Sequence, residues 1–183
     1  MPKKALPVFT RDHRTGSMKE FTSGDPKDWD LASAKASLSD FRVLVADDDE
    51  TDRLLTIWQL GKAWPVEQDM MVECAADGAE ALEKICRTRF ALVVLDWNMP
   101  HQNGAAVLRA MRENSLHVPV VVVSAQRHEA IASDLKAMAA AFVNKDELNP
   151  GSFRSAIAAS IQLQEGPCAV ESDLETIRSY ARI

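Results

Sequence analysis

Short, β-rich apolar runs alternate with stretches of helical period from Phe41 to Gln164, and that alternation confines the chain to one kind of architecture. The runs are Val43-Leu44-Val45-Ala46, Met70-Met71-Val72, Ala91-Leu92-Val93-Val94-Leu95, Val120-Val121-Val122-Val123 and Phe142-Val143. Each is continuously apolar, which suits a strand covered by helices on both faces. Between them, apolar spacing near 3.6 predicts five helices. The first is marked by Leu54, Ile57 and Trp58, the second by Ala81, Leu82, Ile85 and Cys86. Val107, Leu108 and Met111 mark the third, Ile131, Leu135 and Met138 the fourth, and Phe153, Ile157 and Ile161 the fifth. Asp77 with Glu80 has the form of a capping box, and Asn149-Pro150 supplies an N-cap followed by Pro at N1. The expectation is an α/β fold: a doubly wound, five-stranded parallel sheet in one domain over residues 41–164.

The flanks read differently. Residues 1–40 show no sustained period, and stretches such as TGSMKEFTSGDPKD have the texture of a flexible N-terminal extension. Within it, LASAKASL (31–38) has the composition for a helical turn or two. Gly166-Pro167 breaks the last helix of the domain. In the tail, 165–183, Ser172 and Glu175 can cap a short amphipathic helix with Val170, Leu174 and Ile177 on one side. A helix that short needs a surface, and two remain open: its own domain, or a second subunit in a homodimer.

Composition excludes several classes of function. The 183 residues carry 21 basic and 27 acidic side chains, a net charge of -6, so no global basic field attracts nucleic acid. No uncharged apolar run approaches the ~20 residues that cross a bilayer, and MPKKALPVFT has no apolar segment of a secretory signal behind its lysines. Membrane insertion is not expected. The cysteines, Cys74, Cys86 and Cys168, form no C-x-x-C pair, which fits a reduced, cytoplasmic setting and packing thiols.

Chemistry gathers where the strands end. Asp47-Asp48-Asp49 follows the first run, Asp96 the third, Ser124 the fourth and Asn144-Lys145 the fifth. Ligands of open parallel sheets bind outside the carboxyl ends of the strands, so these groups converge on one site. Any single strand-end Asp is most simply a helix N-cap. Five acids within the six positions 47–52, with Asp96 further on, exceed that explanation. Clustered carboxylates repel unless a cation relieves them, and hard oxygen ligands select Mg²⁺ over zinc. Such a site, with an ammonium and a hydroxyl beside it, suits a phosphoryl group, and a central carboxylate can act as nucleophile. A calcium loop is rejected, because its sixth position is Asp52 rather than Gly and its twelfth is Trp58 rather than Glu. His13, His101, His117 and His128 show no metal-binding spacing. His101 reads as a residue of a solvated loop, and the Met and Trp residues at helical spacing read as core.

VLVADDDETDR, LVVLDWNMPHQNG, VVVVSA and FVNK, in this order and spacing, resemble the receiver domain of two-component response regulators, the CheY-like fold, over roughly residues 41–164. The resemblance implies strand order 2-1-3-4-5. It further implies Asp96 as phosphoacceptor, with Mg²⁺ held by Asp47, Asp48, Asp96 and the backbone carbonyl of Asn98. Ser124 and Lys145 would contact the phosphoryl oxygens. Phe142 would be the switch aromatic that responds to Ser124. Asn98 and Gln126 would flank the phosphoryl group and tune its loss to water. Pro100 and Gly104 would shape the turn that aims Asp96.

Two positions depart from the family pattern. Asp146 follows Lys145 where a cis-proline is common, so the loop after the fifth strand is expected to differ in shape and carry an added charge. Ala140-Ala141 stands where Gly-Ala is usual, which removes the easiest cap for the fourth helix and predicts a displaced end.

The resemblance implies a receiver phosphorylated at Asp96 by a histidine kinase or histidine phosphotransfer protein. The short flanks, 19 residues after Gln164 and 40 before Phe41 without core character, give the expectation of a stand-alone one. Its output would pass to a protein target through the face of the fourth helix, fifth strand and fifth helix, or onward as the phosphoryl group. Phosphoryl transfer and autodephosphorylation would be self-catalysed, not turnover of a separate substrate. Two other readings stay open: a phosphorylation-independent adaptor with the same fold, and an Asp-nucleophile phosphohydrolase. The second would want an acid two residues after the nucleophile, where Asn98 stands.

Overall fold

The computed structural model describes residues 7–11, 18–21, 41–64 and 70–163. Among the described residues, seven strands and five α-helices follow in chain order. Val8–Arg11 (β1) and Met18–Phe21 (β2) come first, then Phe41–Ala46 (β3), Glu50–Ala63 (α1), Met70–Ala75 (β4) and Gly78–Arg87 (α2). Leu92–Asp96 (β5), Gly104–Glu113 (α3), Val120–Ser124 (β6) and His128–Ala137 (α4) continue the alternation. Ala141–Asn144 (β7), a 3₁₀ turn at Lys145–Glu147 and Pro150–Gln162 (α5) complete it.

The sheet runs β2-β1-β4-β3-β5-β6-β7, and its five parallel members reproduce the order 2-1-3-4-5. Side chains alternate across each strand, and both faces are buried. Val43, Val45, Val94 and Val123 pack with Ile57 and Leu60 of α1 and Phe153 and Ile157 of α5. Leu44, Val93, Leu95 and Val122 pack on the other side with Ile85 of α2, Leu108 and Met111 of α3 and Leu135 of α4.

Within the region expected as a flexible N-terminal extension, two strands are described. β1 and β2 form an antiparallel hairpin, and β1 pairs with the outer edge of β4 through Phe9↔Val72 and Thr10↔Met71. The hairpin covers the outer edge of β4, and Phe9 is buried among the residues on the α1–α5 face. A strand of four residues leaves too little period to detect in sequence. The helical turns expected over 31–38 and 170–177 lie outside the described residues.

α1 is rotated from its expected face. Arg53, Thr56, Ile57 and Leu60 are buried, whereas Leu54, Leu55 and Trp58 are 44%, 45% and 50% exposed. Trp58 is therefore not core; the Lys62 ammonium lies 3.4 Å over its ring. Cys86 is exposed as well, while Cys74 is buried and its thiol is pushed up to about 11 by burial. The capping expectations hold with one change. Asp77 accepts from the Glu80 N–H at 2.7 Å, but the Glu80 carboxylate returns to the Ala76 N–H rather than to the cap. Asn149 and Ser152 form a full capping box on α5.

α4 ends where its length requires, without glycine. Ala139 adopts φ 49°, and the N–H groups of Ala139 and Ala140 bond back to the Lys136 and Leu135 carbonyls at 3.3 and 3.0 Å. This is the left-handed helix cap that glycine ordinarily supplies, formed by alanine. Arg112 of α3 secures the turn by donating to the Met138 carbonyl, Nε at 3.0 Å. The anticipated displacement thus becomes local strain.

Candidate phosphoryl and metal site

Four strand ends deliver the site. β3 stops at Ala46, so Asp47 lies at the sheet edge, where its N–H donates to the Ala75 carbonyl at 3.1 Å. Asp49 then caps α1, accepting from the Thr51 and Asp52 N–H groups at 2.8 and 3.0 Å. The helix-cap reading therefore belongs to Asp49. Asp47 and Asp48 remain available for other chemistry. The start of α1 also holds Asp47: the carboxylate accepts from the Asp49 N–H at 3.0 Å, and the carbonyl accepts from buried Arg53 at 2.7 Å.

Asp96 is the last residue of β5 and is 4% exposed. Its carboxylate accepts from the Asn98 N–H at 3.0 Å. The loop beyond is held by close backbone approach. A Cβ on Gly104 would stand 2.7 Å from the Asp96 carbonyl oxygen, and the Gly104 N–H donates to the Trp97 carbonyl at 3.0 Å. Only glycine fits there, so the turn role expected of Gly104 has a steric basis. His101 lies exposed in the same loop at φ 64°.

Asp47, Asp48 and Asp96 each offer a carboxylate oxygen, all within 4.8 Å of one another. Asp47 and Asp96 are buried and Asp48 is exposed. Burial pushes the Asp47 and Asp96 carboxyls above the ordinary carboxylate range, while Lys145 acts in the opposite sense. The donor set is all hard oxygen, with one side open to solvent through Asp48. It fits a divalent cation such as Mg²⁺, whose charge would offset the buried negative pair.

Lys145 reaches the centre from the end of β7. Its Nζ lies 3.2 Å from Asp96 Oδ1, 3.0 Å from Asp47 Oδ2 and 2.7 Å from Asp52 Oδ2. Burial opposes its charge, but hydrogen bonds to Asp52 and Asp47 and the charge of Asp96 outweigh that and raise its pKa. Ser124, fully buried at the end of β6, accepts from the Gln126 N–H at 3.1 Å. Gln126 Nε2 donates to Asn98 Oδ1 at 3.0 Å, so the two flanking residues meet directly. Phe142 is half-buried, with its ring centroid 5.3 Å from that of His128.

All the site residues chosen from sequence thus lie along one sheet edge, with Phe142 two residues behind the end of its strand. Sequence reasoning missed two neighbours. Asn144 links the loops by donating to the Gln126 carbonyl at 3.2 Å and accepting from the Asp146 N–H at 2.8 Å. That second bond organises the turn after Lys145 around Asp146, with no cis peptide among the described residues. Asp52 was counted among the acids without a task, yet it makes the shortest contact to Lys145. Its signal was positional: one helical turn past the Asp47 pair.

The response regulator receiver domain model matches residues 43–158, and the chain belongs to that family. Among curated relatives, it is 42% identical over 85 residues to the transcriptional regulatory protein PrrA of Mycobacterium leprae, covering 46% of this chain and 34% of that protein. It is 36% identical over 110 residues to protein-glutamate methylesterase/protein-glutamine glutaminase 5 of Myxococcus xanthus, covering 59% of this chain and 31% of that protein. The chain therefore spans about a third of the length of either relative. Among solved structures, the chemotaxis response regulator CheY4 of Vibrio cholerae superposes with a TM-score of 0.55 at 28% identity, over 66% of this chain and 98% of that one. Two-component signalling is accordingly the setting of this domain, and no described helix is long and apolar enough to cross a membrane.

Proposed function

We propose that this receiver is a phosphorylation-controlled switch with Asp96 as its acceptor. The observation that carries the reading is the Lys145 ammonium, 3.2 Å from Asp96 Oδ1, beside three carboxylates with oxygens within 4.8 Å of one another. An Asp96 oxygen attacks phosphorus of a phosphohistidine on a kinase or phosphotransfer protein. The P–N bond breaks, and its electron pair leaves with the imidazole. Lys145 and the Ser124 hydroxyl hold the phosphoryl oxygens as charge builds on them. Asp47, Asp48, Asp96 and the Asn98 carbonyl would hold Mg²⁺, which when bound neutralises phosphoryl charge. The Asn98 N–H fixes one Asp96 oxygen and so orients the carboxylate. Ser124 then gives up its contact with the Gln126 N–H, and the half-buried Phe142 ring follows it inward. That movement alters the α4–β7–α5 face offered to a target protein.

Intact mass tests this directly. Acetyl phosphate with Mg²⁺ should add one phosphoryl group, lost in Asp96→Ala and after chelation. Labelling that persists in Asp96→Ala sinks the assignment.

A further inference from the structure

Three carboxylates surround the Lys145 ammonium: it donates hydrogen bonds to Asp47 and Asp52 and forms an ion pair with Asp96 at 3.2 Å. Two of these belong to the acidic centre. Asp52 does not. It sits in the first turn of α1, its N–H held by the Asp49 cap, and its side chain turns back across the loop to Lys145. At 2.7 Å it is the nearest of the three, while Asp96 is the farthest at 3.2 Å.

We infer that Asp52 is a positioning residue that competes with the phosphorylated acceptor for Lys145. This inference rests on Asp96 being the acceptor. A phosphoryl group on Asp96 adds oxygens that call on the same ammonium, and Lys145 can serve them fully only by loosening a partner. Asp47 is fixed by the Asp49 N–H and is 3% exposed, so it cannot easily move. The Asp52 carboxylate is 44% exposed and water can take over its solvation, so it is the partner that yields. An acid here therefore weakens the hold on the phosphoryl group and leaves the unphosphorylated lysine anchored. Because half-exposed ion pairs contribute modestly, the effect is about two- to fivefold.

The full chain with Mg²⁺ is titrated with beryllofluoride, an acyl-phosphate mimic, by tryptophan emission, and the lifetime of the acetyl-phosphate-labelled protein is followed by mass. Asp52→Asn should bind beryllofluoride about two- to fivefold more tightly and retain the phosphoryl group correspondingly longer. Asp52→Glu, which restores the carboxylate, should return both values to wild type. Glu50→Gln removes an equal charge from the same helical turn and should shift them less than Asp52→Asn. Equal or weaker binding by Asp52→Asn in a wild type that does take the label overturns the inference alone. An equal shift in Glu50→Gln also overturns it, since charge rather than the contact would then be responsible. A wild type that neither takes the label nor responds to beryllofluoride overturns the acceptor reading, and this inference with it.

Discussion

Gln126 donates its side-chain amide to Asn98 at 3.0 Å, closing a bridge between the loop after β6 and the loop after β5. Both ends are tied to the site, Gln126 through its N–H to Ser124 and Asn98 through its N–H to Asp96. The bridge thus flanks the carboxylate that the proposed reaction modifies. Gln126→Ala should shorten the phosphoryl lifetime by roughly fivefold, the scale of one hydrogen bond near 1 kcal/mol. Asn98→Ala should do the same, and the double variant should be no worse than either single one. Decay of the labelled mass measures all three. Additive losses would mean that the two side chains act separately.

Asp47 and Asp96 are buried carboxyls whose charge Lys145 and backbone donors partly offset. Their carboxyls lie above the ordinary range, so the folded state holds protons there that the unfolded state releases. A raised carboxyl contributes stability at low pH that is lost as pH rises through its folded value. Without divalent cations, Asp96→Asn should therefore raise stability by about 1 kcal/mol at neutral pH, with the gain shrinking on acidification. Metal binding needs both groups deprotonated, so Mg²⁺ affinity should fall as pH drops into the range where they titrate. Urea melts at several pH values, with and without Mg²⁺, check both signs.

Ala139 pays the steric penalty of φ 49°, about 1–2 kcal/mol for a residue with a Cβ. Ala139→Gly should remove it, less the entropy that glycine gains in the unfolded chain, for a net stabilisation of about 0.5–1 kcal/mol. Thermal unfolding measures this. An unchanged or lower Tm would show that the alanine cap is not strained.

The strand ends were legible because their chemistry is dense: Asp47, Asp96, Ser124 and Lys145 each close an apolar run, and topology alone brings such ends together. The buried faces of α2 to α5 were readable at most marked positions for the same periodic reason. α1 was not. Leu54 and Trp58 mimic a core stripe, but buried Arg53 and Thr56 occupy the inner face, the former bonded to the Asp47 carbonyl. Polar residues satisfied by the site's own backbone are invisible to a hydrophobic count. The Asp52–Lys145 pair was equally hidden, since 93 residues separate its members.

Phe9 anchors the N-terminal hairpin in the core, with half-buried Met18 packed against the same cluster. β1 meets β4 at only two register pairs, while β1 and β2 share four, so backbone pairing alone holds the hairpin to the domain weakly. The Phe9 ring, 6% exposed, adds apolar burial against the α1–α5 face. Phe9→Ala leaves a hole at the rim of the core and loses that burial, which should cost about 3 kcal/mol. Glu20→Ala, exposed on the partner strand, should change stability by less than about 0.5 kcal/mol. Hydrogen exchange separates global from local loss: in Phe9→Ala, the β4 amides Met71 and Val72 should lose protection more than those of β6. If stability and the β4 amides are both unchanged, Phe9 does not anchor the hairpin to the sheet edge.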